Sequence, residues 1–94
     1  MPKYIVERTM PQLSNLSARE LAIVSSQSCR ALRVLGPRIQ WIGSHVTDGK
    51  LFGVYIAPEP GLIRDHGALG SFPIDSIRQI VATIDPTTAE TYFP

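Results

Sequence analysis

The sequence has little of what several classes of small protein require. Its single cysteine, Cys29, cannot form an internal disulfide and favours a reducing compartment. No apolar run approaches the ~20 residues of a membrane span, and the N-terminal residues lack the apolar stretch of a secretory signal. We therefore expect a cytoplasmic protein without a membrane partner.

The sequence also lacks an excess of positively or negatively charged residues. Nine Lys and Arg residues are balanced by eight Asp and Glu residues, and the basic residues are scattered along the chain. A nucleic-acid-binding domain normally has a clustered basic face with aromatic residues between the charges, so the composition argues against a nucleic-acid partner. With 44% apolar and 18% charged residues, the 94 residues suit one globular domain that folds without metal or disulfide.

The first half of the chain predicts a strand followed by a helix. Residues 3–8 have the composition of a strand. Ser17 and Glu20 form a capping-box pattern that predicts a helix start. Apolar residues then recur every three or four positions until Gly36 and Pro37, which predict the helix end.

The second half predicts a hairpin, a short helix and a last strand. Residues 39–57 are two apolar segments around Asp48 and Gly49, a pair that predicts a type I′ turn with two positive φ angles. A proline-rich segment at 58–61 predicts the start of a short helix, and residues 74–84 predict a strand.

The resulting β-α-β-β-α-β order predicts a ferredoxin-like α+β domain over residues 1–86, followed by a C-terminal tail over 87–94. Its four-stranded antiparallel sheet has both helices on one face. The third strand is apolar on both sides, with Phe52, Val54 and Ile56 on one side and Leu51, Tyr55 and Ala57 on the other. A sheet with two apolar faces needs a second cover, so we expect a homodimer that closes as a dimeric α+β barrel.

Such a dimer predicts a pocket lined by aromatic side chains. His45 follows Trp41 by four residues along the predicted strand, so we expect both side chains on the same face. With Tyr55, and with Tyr4 or Glu7 beside them, they could hold a small molecule, and His45 is the candidate acid or base of a cofactor-free enzyme. In the alternative, these side chains only pack a dimer interface.

The two histidines are also candidate metal ligands. His66 follows Asp65, and a dimer could combine either histidine with Asp65, Glu7 or Asp48. Imidazole and carboxylate ligands suit nickel, zinc or copper. The sequence contains no HxH, HExxH or CxxC spacing, so spacing alone is weak evidence for such a site.

Nucleophile patterns are weaker still. Cys29 has no CxxC partner, and its position in the first helix favours an inert thiol. Ser25, Ser26 and Ser28 lack the nucleophile-elbow motif, so they give no support for an acyl-transfer triad. The non-catalytic interpretation therefore assigns no catalytic residue.

Several segments resemble a single family. They are residues 2–8, the hairpin at 39–50 with the pattern W-x-x-S-x-V-T-D-x-K, and Asp65-His66 followed by G-x-F-P at 70–73. They resemble the small bacterial nickel-responsive-protein-like domains over residues 2–88. The resemblance implies a dimeric ferredoxin-like domain that binds nickel, with His66 at the position of the family's helix histidine.

The sequence thus leaves three functions open. The first is a non-catalytic, nickel-binding homodimer with ligands from His66, His45, Asp65 and Glu7. The second is a small-molecule-binding protein or cofactor-free enzyme that uses Trp41, His45 and Tyr55. The third is an interaction module whose sheet face is its whole function.

Overall fold

The fold is a four-stranded antiparallel sheet with helices packed on one face. A computed structural model of the chain describes residues 1–93. Its elements are β1 (Lys3–Thr9), a 3₁₀ helix (Pro11–Asn15), α1 (Ala18–Leu35), β2 (Gln40–Val46), β3 (Lys50–Ile56), α2 (Pro60–Gly70), β4 (Ser76–Gln79) and α3 (Pro86–Tyr92). The strand order β2-β3-β1-β4 confirms the predicted ferredoxin-like α+β architecture. Among the described residues, no helix combines the length and apolar character needed to cross a membrane.

The core lies between the sheet and the first two helices. Alternate residues of the central strands, including Tyr4, Val6 and Tyr55, are buried on this covered face. They pack in one cluster with Ile63 of α2, which is fully buried, and with Leu32 of α1. The apolar face of the helices, with its period of 3.6 residues, and that of the strands, with its period of two, therefore pack into one core layer.

The opposite face of the sheet is open, as predicted from the placement of both helices on one face. Ile5 on β1 is 38% exposed, and Phe52, Val54 and Ile56 on β3 are only half-buried, although both strands are central. We call this surface the open face.

The first residues of α1 form the predicted capping box. The Glu20 N–H donates to Ser17 Oγ at 3.2 Å, and the Ser17 N–H donates to Glu20 Oε1 at 3.1 Å. We expect Ser17→Ala to lower the free energy of unfolding by about 1 kcal/mol, measured by urea denaturation. Ser26→Ala, at an exposed position inside α1, is the matched control and should change it by less than about 0.5 kcal/mol. Equal losses for both variants would contradict the capping role.

The hairpin turn differs from the prediction. Gly49 has φ +81° but Asp48 does not have a positive φ, so a type I′ turn is wrong. The turn is held from outside: the Gly49 N–H donates to Ser14 Oγ at 2.9 Å, and the Met10 N–H donates to the Gly49 carbonyl at 3.1 Å. Contacts with the 3₁₀ segment therefore decide the turn geometry together with the Asp-Gly pair.

The last strand is shorter than predicted, ending at Gln79 instead of residue 84. The Ile80 N–H still donates to the Lys3 carbonyl at 2.8 Å. β1 begins at Lys3, and the Pro2 carbonyl before it accepts from the Ala57 N–H just after β3 instead of bonding to β4. The chain leaves the sheet here, and Val81 is 92% exposed.

The segment predicted as a tail contains a helix. Asp85 caps α3 by accepting hydrogen bonds from the Thr87 and Thr88 N–H groups, and Pro86 occupies the first turn. The Asp-Pro pair was interpreted only as a strand end, although the same pair is typical of a helix start. Pro94, the last residue of the predicted tail, lies outside the described residues.

Candidate functional site

A β-bulge in β2 decides which side chains share a face. Trp41 pairs with Tyr55 and His45 pairs with Phe52, so four steps along β2 correspond to three along β3. Trp41 therefore lies on the covered face and His45 on the open face, since Tyr55 and Phe52 point to opposite sides. The prediction that Trp41 and His45 share a face is wrong. The bulge inserts one extra residue into β2 between them and so reverses the alternation of side chains beyond it.

The covered face contains a cavity of about 230 Å³ beneath α1. Trp41, Tyr55 and Arg8 line it, and His45 does not. This cavity lies within one subunit, whereas the sequence predicts the Trp41, His45 and Tyr55 pocket inside a dimer, so that prediction stays untested. Ser25 and Ser28 of α1 add polar groups to an otherwise largely apolar wall. Tyr4 is buried on this same side of the sheet, whereas Glu7 lies on the open face.

Arg8 is buried beside this cavity, with 1% of its surface exposed. Its Nη1 donates to the Pro73 carbonyl at 3.0 Å and to the Phe72 carbonyl at 3.5 Å, and its Nη2 donates to Tyr55 Oη at 3.4 Å. The guanidinium carbon lies 5.8 Å from the Tyr55 ring centroid and 5.7 Å from the Phe72 ring centroid. Two aromatic rings and two carbonyls thus surround the positive charge.

His66 and Ser28 are also buried polar side chains of this region. The Nε2 of His66 is hydrogen-bonded to Ser28 Oγ at 3.1 Å, and the His66 ring packs against the rings of Tyr55 and Phe72. Burial lowers the pKa of His66 below 6.5, and the neighbouring positive charge of Arg8 lowers it further. The imidazole therefore resists protonation and stays neutral over a wider pH range than a free histidine.

The His66 and Ser28 pair does not form a catalytic triad. Within residues 1–93, His66 Nδ1 is buried without a hydrogen-bond partner, so no carboxylate orients the imidazole. The sequence interpretation missed this pair. Ser28 was detectable, because it is a polar residue at helical spacing from the apolar residues Val24 and Leu32 of α1. Arg8 was detectable in a similar way, because it continues the alternation of Tyr4 and Val6 toward the covered face.

The structure separates the four predicted metal ligands. His66 is sealed between α2 and the sheet beside the Arg8 guanidinium, an environment that does not fit a cation. Asp65 is exposed on α2, and His45 and Glu7 lie on the open face. No three His, Cys, Asp or Glu side chains come together to hold a metal within the part of the chain that the structure describes.

A small acidic cluster lies at the edge of the open face. Lys50 Nζ is 2.8 Å from Glu7 Oε2 and 3.4 Å from Asp75 Oδ2, and Thr9 Oγ1 also donates to Asp75. The hydrogen bond from Thr9, helped by Lys50, lowers the pKa of Asp75, while the hydrogen bond to Glu7 raises the pKa of Lys50. Two carboxylates therefore contact one ammonium group here.

The sheet order, the two helices on one face and the open opposite face define a ferredoxin-like α+β domain. The sequence model described as nickel responsive protein SCO4226-like matches residues 4–80, so the chain belongs to the SCO4226-like family. A solved structure with a similar fold is SCO4226 from Streptomyces coelicolor A3(2), with a TM-score of 0.69 and 10% sequence identity. The match covers 87% of this chain and 99% of that chain. A comparison with curated proteins finds no match.

Proposed function

We propose that this chain acts as a cytoplasmic homodimer that binds nickel and catalyses no reaction. The observation that carries the proposal is the open face, which combines an uncovered apolar centre with imidazole and carboxylate groups at its edges. The family description adds nickel as the metal. The single free cysteine, Cys29, agrees with a reducing compartment.

A second copy of the chain is the occupant that suits the open face. Ile5, Phe52 and Val54 form an apolar centre on β1 and β3, while His45 and Arg78 lie toward the edges of the same face. An apolar centre with a polar rim is the usual anatomy of a protein interface. Two such faces can pack as sheets about 10 Å apart and cover each other.

A two-fold axis along the strands would supply a composite site. The strand order β2-β3-β1-β4 then sets β2 of one subunit over β4 of its partner. His45, which shares its row of the sheet with Glu7 and Ser76, would approach the acidic cluster of the other subunit. Symmetry would give two equivalent sites in each dimer.

The donor groups of this face fit nickel better than the buried histidine does. Imidazole nitrogen and carboxylate oxygen are ligands that nickel accepts. His45 is exposed, and Glu7 and Asp75 already hold the Lys50 ammonium between them. We therefore assign the ligand set to His45 with Glu7 and Asp75, and we leave His66 and Asp65 out of it.

Nickel titration of tag-free protein tests this assignment. We expect nickel to raise the free energy of unfolding by about 2.7 kcal/mol when its free concentration is a hundred times the Kd. His45→Ala and Glu7→Gln should remove most of this gain. Lys50→Met should strengthen nickel binding, because it removes the cation that competes for both carboxylates. Isothermal calorimetry and thermal unfolding give the affinity and the stabilisation.

His66→Gln and Asp65→Asn are the matched controls and should bind nickel like the parent. Nickel binding that survives His45→Ala but is lost in His66→Gln would move the site to α2. A parent protein that shows neither calorimetric binding nor stabilisation by nickel would end the nickel proposal.

A further inference from the structure

The positive charge of Arg8 has no acidic partner within residues 1–93. Both ion pairs of these residues involve Lys50, and the three acceptors of Arg8 are two carbonyls and a phenol oxygen. A guanidinium stays charged at physiological pH and has five N–H donors, so three hydrogen bonds leave donors free. Burying such a charge without a counter-ion is costly, and an anion beside it would offset that cost.

The cavity next to Arg8 has room for such an anion. Its volume of about 230 Å³ corresponds to roughly eight non-hydrogen atoms, if each takes the ~30 Å³ share of a water molecule in the liquid. Leu21 and Val24, from the apolar stripe of α1, line this space and are only half-buried, whereas Ala31 further along the helix is buried. The apolar face of the first half of α1, which includes Leu21 and Val24, thus faces the cavity instead of a packed core.

The rest of the cavity wall indicates the kind of anion. Leu13, Leu51 and Phe72 supply apolar surface on the sides away from α1. Ser25 and Ser28 contribute hydroxyl groups, and Trp41 already donates its indole N–H to Ser44 at 2.9 Å. One cationic group in a mostly apolar pocket suits a ligand with one charged end and an apolar body.

We propose that this cavity, here called the Arg8 cavity, binds a small organic monocarboxylate. The carboxylate accepts charge-assisted hydrogen bonds from the Arg8 guanidinium, and the apolar body lies between α1 and the sheet. The site is on the covered face, so it is independent of nickel binding at the open face. A bare inorganic anion would leave the apolar walls without a partner.

The only tryptophan of the chain, Trp41, lines the Arg8 cavity and provides a direct signal. We expect butyrate, hexanoate or benzoate to change its fluorescence saturably at millimolar concentration and to raise the melting temperature, as suits ligands of this size. Benzyl alcohol, which lacks the charge, should bind about tenfold to a hundredfold more weakly than benzoate. Sodium sulfate at equal ionic strength should have no saturable effect.

Two kinds of variant locate the binding. Arg8→Met should weaken benzoate binding about tenfold to a hundredfold, although loss of its bonds to residues 72 and 73 also threatens the fold. Val24→Trp leaves Arg8 in place and should abolish binding by filling the cavity. Ile23→Trp is the matched control, because Ile23 is 52% exposed on the neighbouring side of α1. Calorimetry measures these variants, since a second indole would obscure Trp41.

The proposal is overturned if no acid binds saturably, since Arg8 would then only hold the carbonyls of Phe72 and Pro73. It is also overturned if Val24→Trp binds benzoate like the parent, because the acid would then lie elsewhere. A saturable response to sulfate that equals the response to benzoate would likewise overturn it in favour of an inorganic anion.

Discussion

Val54→Asp should convert the proposed homodimer into a monomer while leaving the subunit folded. Val54 lies at the centre of the open face, paired with Ile5 on one side and Gly43 on the other. In the proposed dimer the substitution buries a carboxylate in each subunit without a partner, at a cost of several kcal/mol per charge. Two such charges weaken association by roughly 10⁴-fold. In the separate subunit the same side chain faces water, so the covered core is untouched.

Sedimentation equilibrium at micromolar concentration measures this effect directly. The parent should have about twice the subunit mass of 10.3 kDa, and Val54→Asp should have the subunit mass with an unchanged circular dichroism spectrum. Val34→Asp is the matched control, because Val34 is 73% exposed on α1, and it should remain dimeric. A parent of 10.3 kDa, or a dimeric Val54→Asp variant, would rule out association through the open face.

The fold could be predicted because its main signals are local. The capping box at Ser17, the glycine after α1 and the alternation in β1 and β3 each depend on residues a few positions apart. The extent of β4 could not be predicted in this way. It ends beside Lys3, the first residue of β1, which is a property of the neighbouring strand and not of residues 80–84.

The candidate sites were predicted less well, because they depend on register. One additional residue in β2 transfers His45 to the open face and leaves Trp41 with Tyr55 on the covered face. Nothing in the spacing of Trp41 and His45 reveals that shift. Arg8 and Ser28 were detectable as polar residues in apolar patterns, yet only the structure shows that they line one cavity.

This outcome separates two surfaces that the sequence interpretation had combined. The open face carries His45 and the acidic cluster, which come together across two subunits in the proposed dimer. The covered face carries the Arg8 cavity and His66, which are complete within one chain. A metal response and a small-molecule response can therefore be measured separately in the same protein.

His66 should make the stability of the protein depend on pH between 7 and 5. Burial and the charge of Arg8 lower the pKa of His66 below its ordinary value of 6.5. As the pH falls through 6.5, the unfolded chain binds a proton at this residue and the folded chain does not. The free energy of unfolding should therefore fall by up to about 1.4 kcal/mol per pH unit until the folded state also protonates.

Urea denaturation at fixed protein concentration, repeated at half-unit steps from pH 7 to 5, measures this slope. His66→Gln keeps a group that can hydrogen-bond Ser28 but cannot titrate, so its stability should be lower at pH 7 and nearly independent of pH. Ser26→Ala, at an exposed position of α1, is the control and should retain the slope of the parent. The lowered pKa of Asp75 changes the free energy of unfolding near and below pH 3.8, and the raised pKa of Lys50 changes it above pH 10.5. Neither group therefore contributes to the slope between pH 7 and 5. Identical slopes for the parent and His66→Gln would show that His66 is not the group that couples folding to pH.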